Sequence, residues 1–349
     1  MILPHSYNSL VLLMILSLLC WGSWPNFYKL TRRYRFELFY FDFAFGLALA
    51  VVIGALTWGS LGFDGFTVTD DILNAGKRQW LFGFVAGVIF NFGNLLLVAA
   101  VSVAGVSVAF LLSFGVATIL SVAMGYFAGA AANGPLLLLG CGLTVCSVIL
   151  TTAAYSRLNR ARHEAQARAG LAKSTRRPSS VKGVVLALAG GVLLGSFSPL
   201  LVRAQNPDIG LGPYATALLF GMAVMFSTFV FNLFFMNLPV EGDPLEVIEY
   251  FRGSWKNHFW GFVGGVVWAV GAVAVLVATT PKGDTRLDAP LSGLPGLAAP
   301  LVAALWGLLV WREFKGGDRV SKLLAVLMWL LFAGGVAAVA VASTAGGKR

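Results

Sequence analysis

The chain comprises 349 residues, 58% of them hydrophobic and only 11% charged, with a mean hydropathy of +0.81. Soluble domains carry roughly 25% charged residues, so this composition excludes a water-soluble globular protein. The net charge of +10 would suit a nucleic-acid binder, but its concentration in a few connections between apolar segments is instead the mark of membrane topology.

A helix crossing the ~30 Å hydrocarbon layer needs about 20 apolar residues. Ten such stretches run in order over residues 9–29, 38–60, 80–101, 104–130, 134–154, 183–203, 213–238, 258–280, 290–312 and 321–343. The first has no Lys or Arg ahead of it and no A-x-A site behind it, so a retained helix is expected rather than a cleaved signal peptide. It ends in CWGSWPNF. Pro25 cannot donate to the carbonyl of Trp21, which predicts a helix break at Gly22, Ser23 and Pro25, with Trp24 facing a central site.

The second stretch carries Asp42 about one turn inside, framed by Phe39, Tyr40, Phe41 and Phe43. Two readings compete there. A buried carboxylate can be a proton carrier; an ion pair with Lys29, Arg32, Arg33 or Arg35 would make it structural. The third stretch holds Asn91 and Asn94, three residues apart and therefore on one helix face. Each amide offers two donors and a carbonyl acceptor, which suits ring N–H and C=O groups or sugar hydroxyls, although Asn in membranes also bonds neighbouring helices. Ser113 in the fourth stretch is a weaker solute candidate, since membrane Ser commonly bonds a carbonyl one turn back.

Residues 155–182 read as a basic, polar linker dividing the chain into residues 1–154 and 183–349. Beyond it, LGSFSP echoes the WGSWP of the first stretch. Ser196, Phe197 and Pro199 stand opposite Ser23, Trp24 and Pro25, so Ser196 and Phe197 join the solute-site candidates and Pro199 the gating ones. WLFGFVAGVIFNFGN from Trp80 aligns without gaps on HFWGFVGGVVWAVGA from His258, where Trp268 is a further ring for stacking a planar solute. The ninth stretch ends in WREFKG, whose Arg312 and Glu313 suggest ion pairs at the helix end.

Eighteen of the 25 Lys and Arg fall in the odd-numbered connections, which predicts those connections and the central loop to be cytoplasmic and both termini outside. The two matched pairs of motifs imply two five-helix repeats, and because five is odd the second must be inverted in the membrane. Inverted repeats are an architecture of secondary transporters, with the solute at the repeat interface. His5, His163 and His258 are all expected outside the spans, and Cys20, Cys141 and Cys146 lack ligand spacing, so no metal, cofactor or disulfide is expected.

GSWP at 22–25, FDF at 41–43, GN at 93–94, GSFSP at 195–199 and PLVAALWGLLVWREFKG at 300–316 together resemble the drug/metabolite transporter superfamily, most of all its ureide permease group and the related sugar permeases. The resemblance implies a plasma-membrane permease, not an enzyme, that takes up a small polar solute (a ureide, nucleobase or sugar) with protons. A monomer or homodimer in the lipid bilayer is implied. Plant members carry a P-loop-like sequence in the central loop, whereas Ala167 and Ala172 stand here where its glycines would be, so no nucleotide site is expected. Gly271 is followed by Ala272, and the family's second Gly-Asn is missing. An exporter of drugs or metabolites is the alternative within transport; a membrane enzyme would need catalytic clusters in the spans.

Overall fold

The apolar runs become helices because a backbone in hydrocarbon has to satisfy its own N–H and C=O groups. The computed structural model describes residues 1–31, 34–129, 132–169, 180–205, 209–280 and 289–346. Among them it shows helices and no strand, and ten of the spans are long and apolar enough to cross a bilayer. In chain order the helices are α1 (Tyr7–Ser23), α2 (Pro25–Leu30), α3 (Phe36–Leu56), α4 (Val68–Asn74), α5 (Lys77–Ala104), α6 (Val106–Phe127) and α7 (Gly134–Arg168). After them come α8 (Val181–Ser196), α9 (Ser198–Ala204), α10 (Pro213–Asn237), α11 (Ile248–Phe251), α12 (Trp255–Thr279), α13 (Ala289–Leu305) with a π-helical turn at Trp306–Val310, and α14 (Arg319–Gly346).

Three expectations are modified. The segment read as a linker from residue 155 begins as helix, since α7 runs on to Arg168. Its RLNRARHEAQAR sequence is rich in strong helix formers, and Arg160 pairs with Glu164 one turn later at 2.8 Å. Residues 170–179, which include Ala172, lie outside the described residues. The expected breaks at Pro25 and Pro199 are mild. Trp24 (φ −56°, ψ −30°) and Phe197 (φ −76°, ψ −29°) interrupt their spans while staying helical in backbone, and each precedes a helix with Pro in its first turn. Both spans continue through these positions, because the fixed φ of proline suits the first turn of the helix that follows. His258, expected outside the spans, lies in the first turn of α12.

The chain forms two compact units, each drawing on both halves of the sequence: residues 1–95 with 196–299, and residues 96–195 with 300–349. In the first unit α3 packs along both α10 and α12, and α12 also carries α1 and α2. Small residues permit the α3–α12 approach. A Cβ at Gly265 would overlap the Phe43 carbonyl oxygen, and one at Gly46 that of Phe262.

In the second unit α14 lies along α7, and α6 packs against α7 as well. Ser147 Oγ donates to Met328 O at 2.6 Å, and Ser113 Oγ to Ala187 O at 2.7 Å, where Gly191 lets α8 close on the Ser113 backbone. The Glu313 carboxylate caps α6. It accepts from Val106 N (2.7 Å), Ser107 N (2.9 Å) and Ser107 Oγ (2.8 Å). An anion is favoured there by the unsatisfied amides and dipole of a helix start. Arg312, at φ 49°, turns the chain out of the π-helical turn so that Glu313 reaches that position.

Overfilling the α3–α12 crossing should be costly. Gly265→Val is expected to destabilise the protein by about 1–3 kcal/mol or more, whereas Gly54→Val, where a Cβ meets nothing within 4 Å, should be tolerated. Thermal unfolding in detergent distinguishes the two, and equal melting temperatures would contradict the packing.

Candidate functional site

Both groups of polar side chains described next belong to the first unit. On α5, Asn91 and Asn94 are buried, and α3 lays the Tyr40 hydroxyl between them. Tyr40 OH donates to Asn91 Oδ1 at 3.0 Å and accepts from Asn94 Nδ2 at 3.0 Å. Across the helix, Asn91 Nδ2 donates to Ser227 Oγ at 2.8 Å and to Thr228 Oγ1 at 3.1 Å on α10. Asn91 is thereby satisfied inside the protein. Asn94 is not: among the described residues its one side-chain hydrogen bond is to Tyr40, and its Oδ1 accepts none.

Phe90 and Asn94 are four apart, so the ring and the amide share one face of α5. Phe90 meets Trp268 (centroids 4.5 Å apart), Phe220 (5.1 Å) and Phe197 (5.4 Å). Phe220 lies parallel to Trp268 at 6.0 Å, and Phe197 meets Phe220 at 5.9 Å. Trp21 stacks on the other rings through Trp268 at 5.9 Å, its Nε1 donating to Trp268 O. An aromatic cluster, in the tilted and offset geometries that rings prefer, thus gathers about Phe90 on the face of α5 that also carries Asn94.

The sequence-predicted residues are distributed as follows. Asn91, Asn94, Phe197 and Trp268 belong to this constellation. Trp24 is buried and rests on Phe43 at 4.9 Å, whereas Trp21, three residues earlier, reaches the aromatic cluster. Ser196 is half-buried at the end of α8. Ser113 belongs to the second unit, where its hydroxyl is consumed in binding α8. Tyr40, Phe90, Phe220, Ser227 and Thr228 were not singled out from sequence. A signal existed for Tyr40, since a phenol deep in an apolar helix needs a partner; none exists for Phe90 or Phe220 in a chain with 27 Phe.

The second group surrounds Asp42 near the start of α3. Tyr250 OH donates to Asp42 Oδ1 at 2.6 Å and Tyr34 OH to Oδ2 at 3.3 Å, while His258 Nδ1 lies 3.0 Å from both oxygens. Burial, reinforced by the Asp42 carboxylate, raises the pKa of both phenols well above the ordinary value, so each stays a donor. Of the four cations weighed as ion-pair partners for Asp42, Arg35 binds Glu37 instead, which is wholly buried, through both carboxylate oxygens. Arg32 and Arg33 fall outside the described residues. His258, expected outside the spans and without a role, sits at the very edge of its apolar run, which is why the sequence does not place it beside Asp42.

A third carboxylate, Asp71 on α4, is buried against Gly212 at the head of α10, and its Oδ2 accepts no hydrogen bond among the described residues. Burial drives its pKa up to about 6, opposed by the Gly212 N–H. No group of three or more His, Cys, Asp or Glu able to hold a metal occurs among the described residues.

No family model matches the chain. Over 100% of its length, and 100% of theirs, it is 23% identical to ureide permease 1 and 22% identical to ureide permease 2 of Arabidopsis thaliana. It is 23% identical to ureide permease 4 of the same plant, with 96% of each chain covered. A solved structure described only as the crystal structure of a protein superposes with a TM-score of 0.56 at 19% identity, covering 99% of this chain and 100% of the other. The chain is a multi-pass membrane protein with the fold of that structure, similar along its whole length to permeases.

The Asp71 carboxyl binds its proton more tightly in the folded than in the unfolded state, so folding is favoured below its ordinary pKa and loses stability as pH rises from about 4 through 6. The melting temperature in detergent should therefore fall between pH 5 and pH 7.5. Asp71→Asn should flatten that fall, and an unchanged pH profile would contradict the assignment.

Proposed function

We propose that this chain is a secondary-active permease of the drug/metabolite transporter type, which takes up a small, neutral, polar solute by alternating access between two inverted five-helix repeats. The solute class is a ureide, nucleobase or sugar-like molecule. The observation that carries the reading is Asn94: an amide buried among spans, held by one bond, its carbonyl unused, beside rings on which a planar molecule can stack. A polar group placed in hydrocarbon without a partner is costly unless it serves a ligand or a cavity. The similarity along the whole chain to proteins named ureide permeases supports the same solute class.

Within this reading, Asp42 with His258 is the proton-exchanging pair at the end of the transporter that carries the basic connections, the cytoplasmic end by charge bias. A carboxylate and an imidazole 3.0 Å apart can pass a proton between them and to water. Trp24 and Phe197, at the two matching kinks, are the elements at which the spans flex during the exchange of access. Both termini lie outside the cell membrane, and protons are the coupling ion.

Two measurements test the proposal. In proteoliposomes with an inward proton gradient, uptake of labelled allantoin, uracil or a hexose should exceed that of empty vesicles, and Asn94→Ala should lower kcat/KM about tenfold, the worth of one hydrogen bond of about 1.4 kcal/mol. Transport of cationic dyes with none of these solutes would overturn the uptake reading. Asp42→Asn should leave binding intact and flatten the dependence of uptake on pH; an undiminished pH dependence would return Asp42 to a structural role.

A further inference from the structure

We infer that Tyr40 is a positioning residue that fixes the Asn94 amide with its carbonyl toward the solute, so that the site selects molecules offering an N–H or O–H donor at that point. The inference rests on the transport reading for its ligand, but the geometry that carries it is independent of any solute.

The polarity of the chain of bonds starts in the α10 backbone. Ser227 Oγ donates to Ala223 O at 2.6 Å, and Thr228 Oγ1 donates to Val224 O at 2.7 Å. Each hydroxyl has one proton, and both are spent on those carbonyls. Thr228 Oγ1 also lies 3.3 Å from Asn91 Oδ1, too long to compete with the 2.7 Å bond. Only lone pairs remain to face α5. Asn91 must therefore turn its NH2 group toward Ser227 and Thr228, which leaves Asn91 Oδ1 facing the Tyr40 hydroxyl.

The next step follows from the same counting. The single Tyr40 proton goes to Asn91 Oδ1 at 3.0 Å, with the Asn91 backbone carbonyl a second acceptor at 3.2 Å. Tyr40 can then offer only a lone pair to its other neighbour. Asn94 has to answer with an N–H, at 3.0 Å, and its carbonyl is turned away with no partner among the described residues. Two side-chain amides look interchangeable at the level of atoms, but this network fixes the orientation of both. Tyr40 is wholly buried between them, where an unpaired phenol or amide would be expensive. The arrangement thus presets an acceptor on the same helix face as Phe90, ready for a donor on the edge of a stacked ring.

The probes are uracil and 1,3-dimethyluracil, which share a ring but differ in having N–H donors. In the parent protein, binding or uptake should favour uracil at least tenfold in KM. In Tyr40→Phe the amide is free to rotate, and the preference should shrink to about threefold or less, with a smaller change in kcat than in KM ratio. An undiminished preference in folded Tyr40→Phe would overturn the inference. A second readout needs no transport: in protein labelled with 15N-asparagine, the Asn94 side-chain amide, identified by its loss in Asn94→Asp, should exchange its protons with water at least tenfold faster in Tyr40→Phe. Equal protection would overturn the relay even if uptake behaves as expected. Should Tyr40→Phe fail to fold, Thr228→Val removes the relay at its far end and should loosen the same amide; unchanged protection there would count equally against it. If the parent protein handles neither uracil nor any related solute, the transport reading fails, while the exchange measurement still decides the relay.

Discussion

The organisation of the first unit depends on a rule with no tolerance in hydrocarbon: a hydroxyl has one proton to give, and every neighbour must accommodate where it goes. Once Ser227 and Thr228 spend their protons on the carbonyls of their own helix, the orientation of each polar group further along is determined. Three helices are tied by this means, α10 to α5 through Asn91 and α5 to α3 through Tyr40. Hydrophobic burial cannot supply such specificity between membrane helices, because lipid tails are as apolar as the side chains that would leave them. Close approach at glycines and directed hydrogen bonds do so instead, and the α3–α12 crossing over Gly265 and Gly46 is the packing counterpart of the polar chain.

Much of this organisation was legible in the sequence. Ten apolar runs gave ten spans, since span length is dictated by bilayer thickness rather than by tertiary context. The Asn91 and Asn94 pair announced itself because amides are scarce in hydrocarbon, and Trp268 and Phe197 stood out through the matching motifs. Hidden from sequence was which rings converge. Phe90 is one phenylalanine among many, and only the spatial neighbourhood of Phe220 and Trp268 distinguishes it. The contrast between Asn91 and Asn94 was equally hidden, because it lies in what faces each amide from α3 and α10.

The kinks show how a local rule can be right in kind and wrong in degree. Proline does remove a donor, which justified expecting an interruption after WGSW and after GSFS. Yet Trp24 N–H still reaches Cys20 O at 3.0 Å, and Phe197 O accepts from both Leu200 and Leu201. Asn26 Nδ2 supplies the Ser23 carbonyl at 2.8 Å, and the Gly195 carbonyl, deprived of a donor by Pro199, receives Ser121 Oγ at 3.4 Å. Side chains thus cover the Ser23 and Gly195 carbonyls, and both spans keep a helical backbone through the interruption.

Asp42 illustrates why the chemistry of a carboxylate is decided by its nearest neighbours rather than by nearby charge. Four cations close in sequence suggested an ion pair, but Arg35 is held by Glu37 two residues further on, a bidentate partner whose planar geometry matches the guanidinium. Among the described residues, Asp42 is bound by two phenols and an imidazole. The distinction has mechanistic weight. A guanidinium partner would cancel the charge of the carboxylate, whereas phenols that stay protonated offer it hydrogen bonds without charge, and the imidazole adds a third partner at 3.0 Å. The Asp42 carboxylate and the Tyr40 hydroxyl are both carried by α3. A single residue, Phe41, separates Asp42 from Tyr40 on that helix, so one span holds both polar groups of the first unit in fixed register.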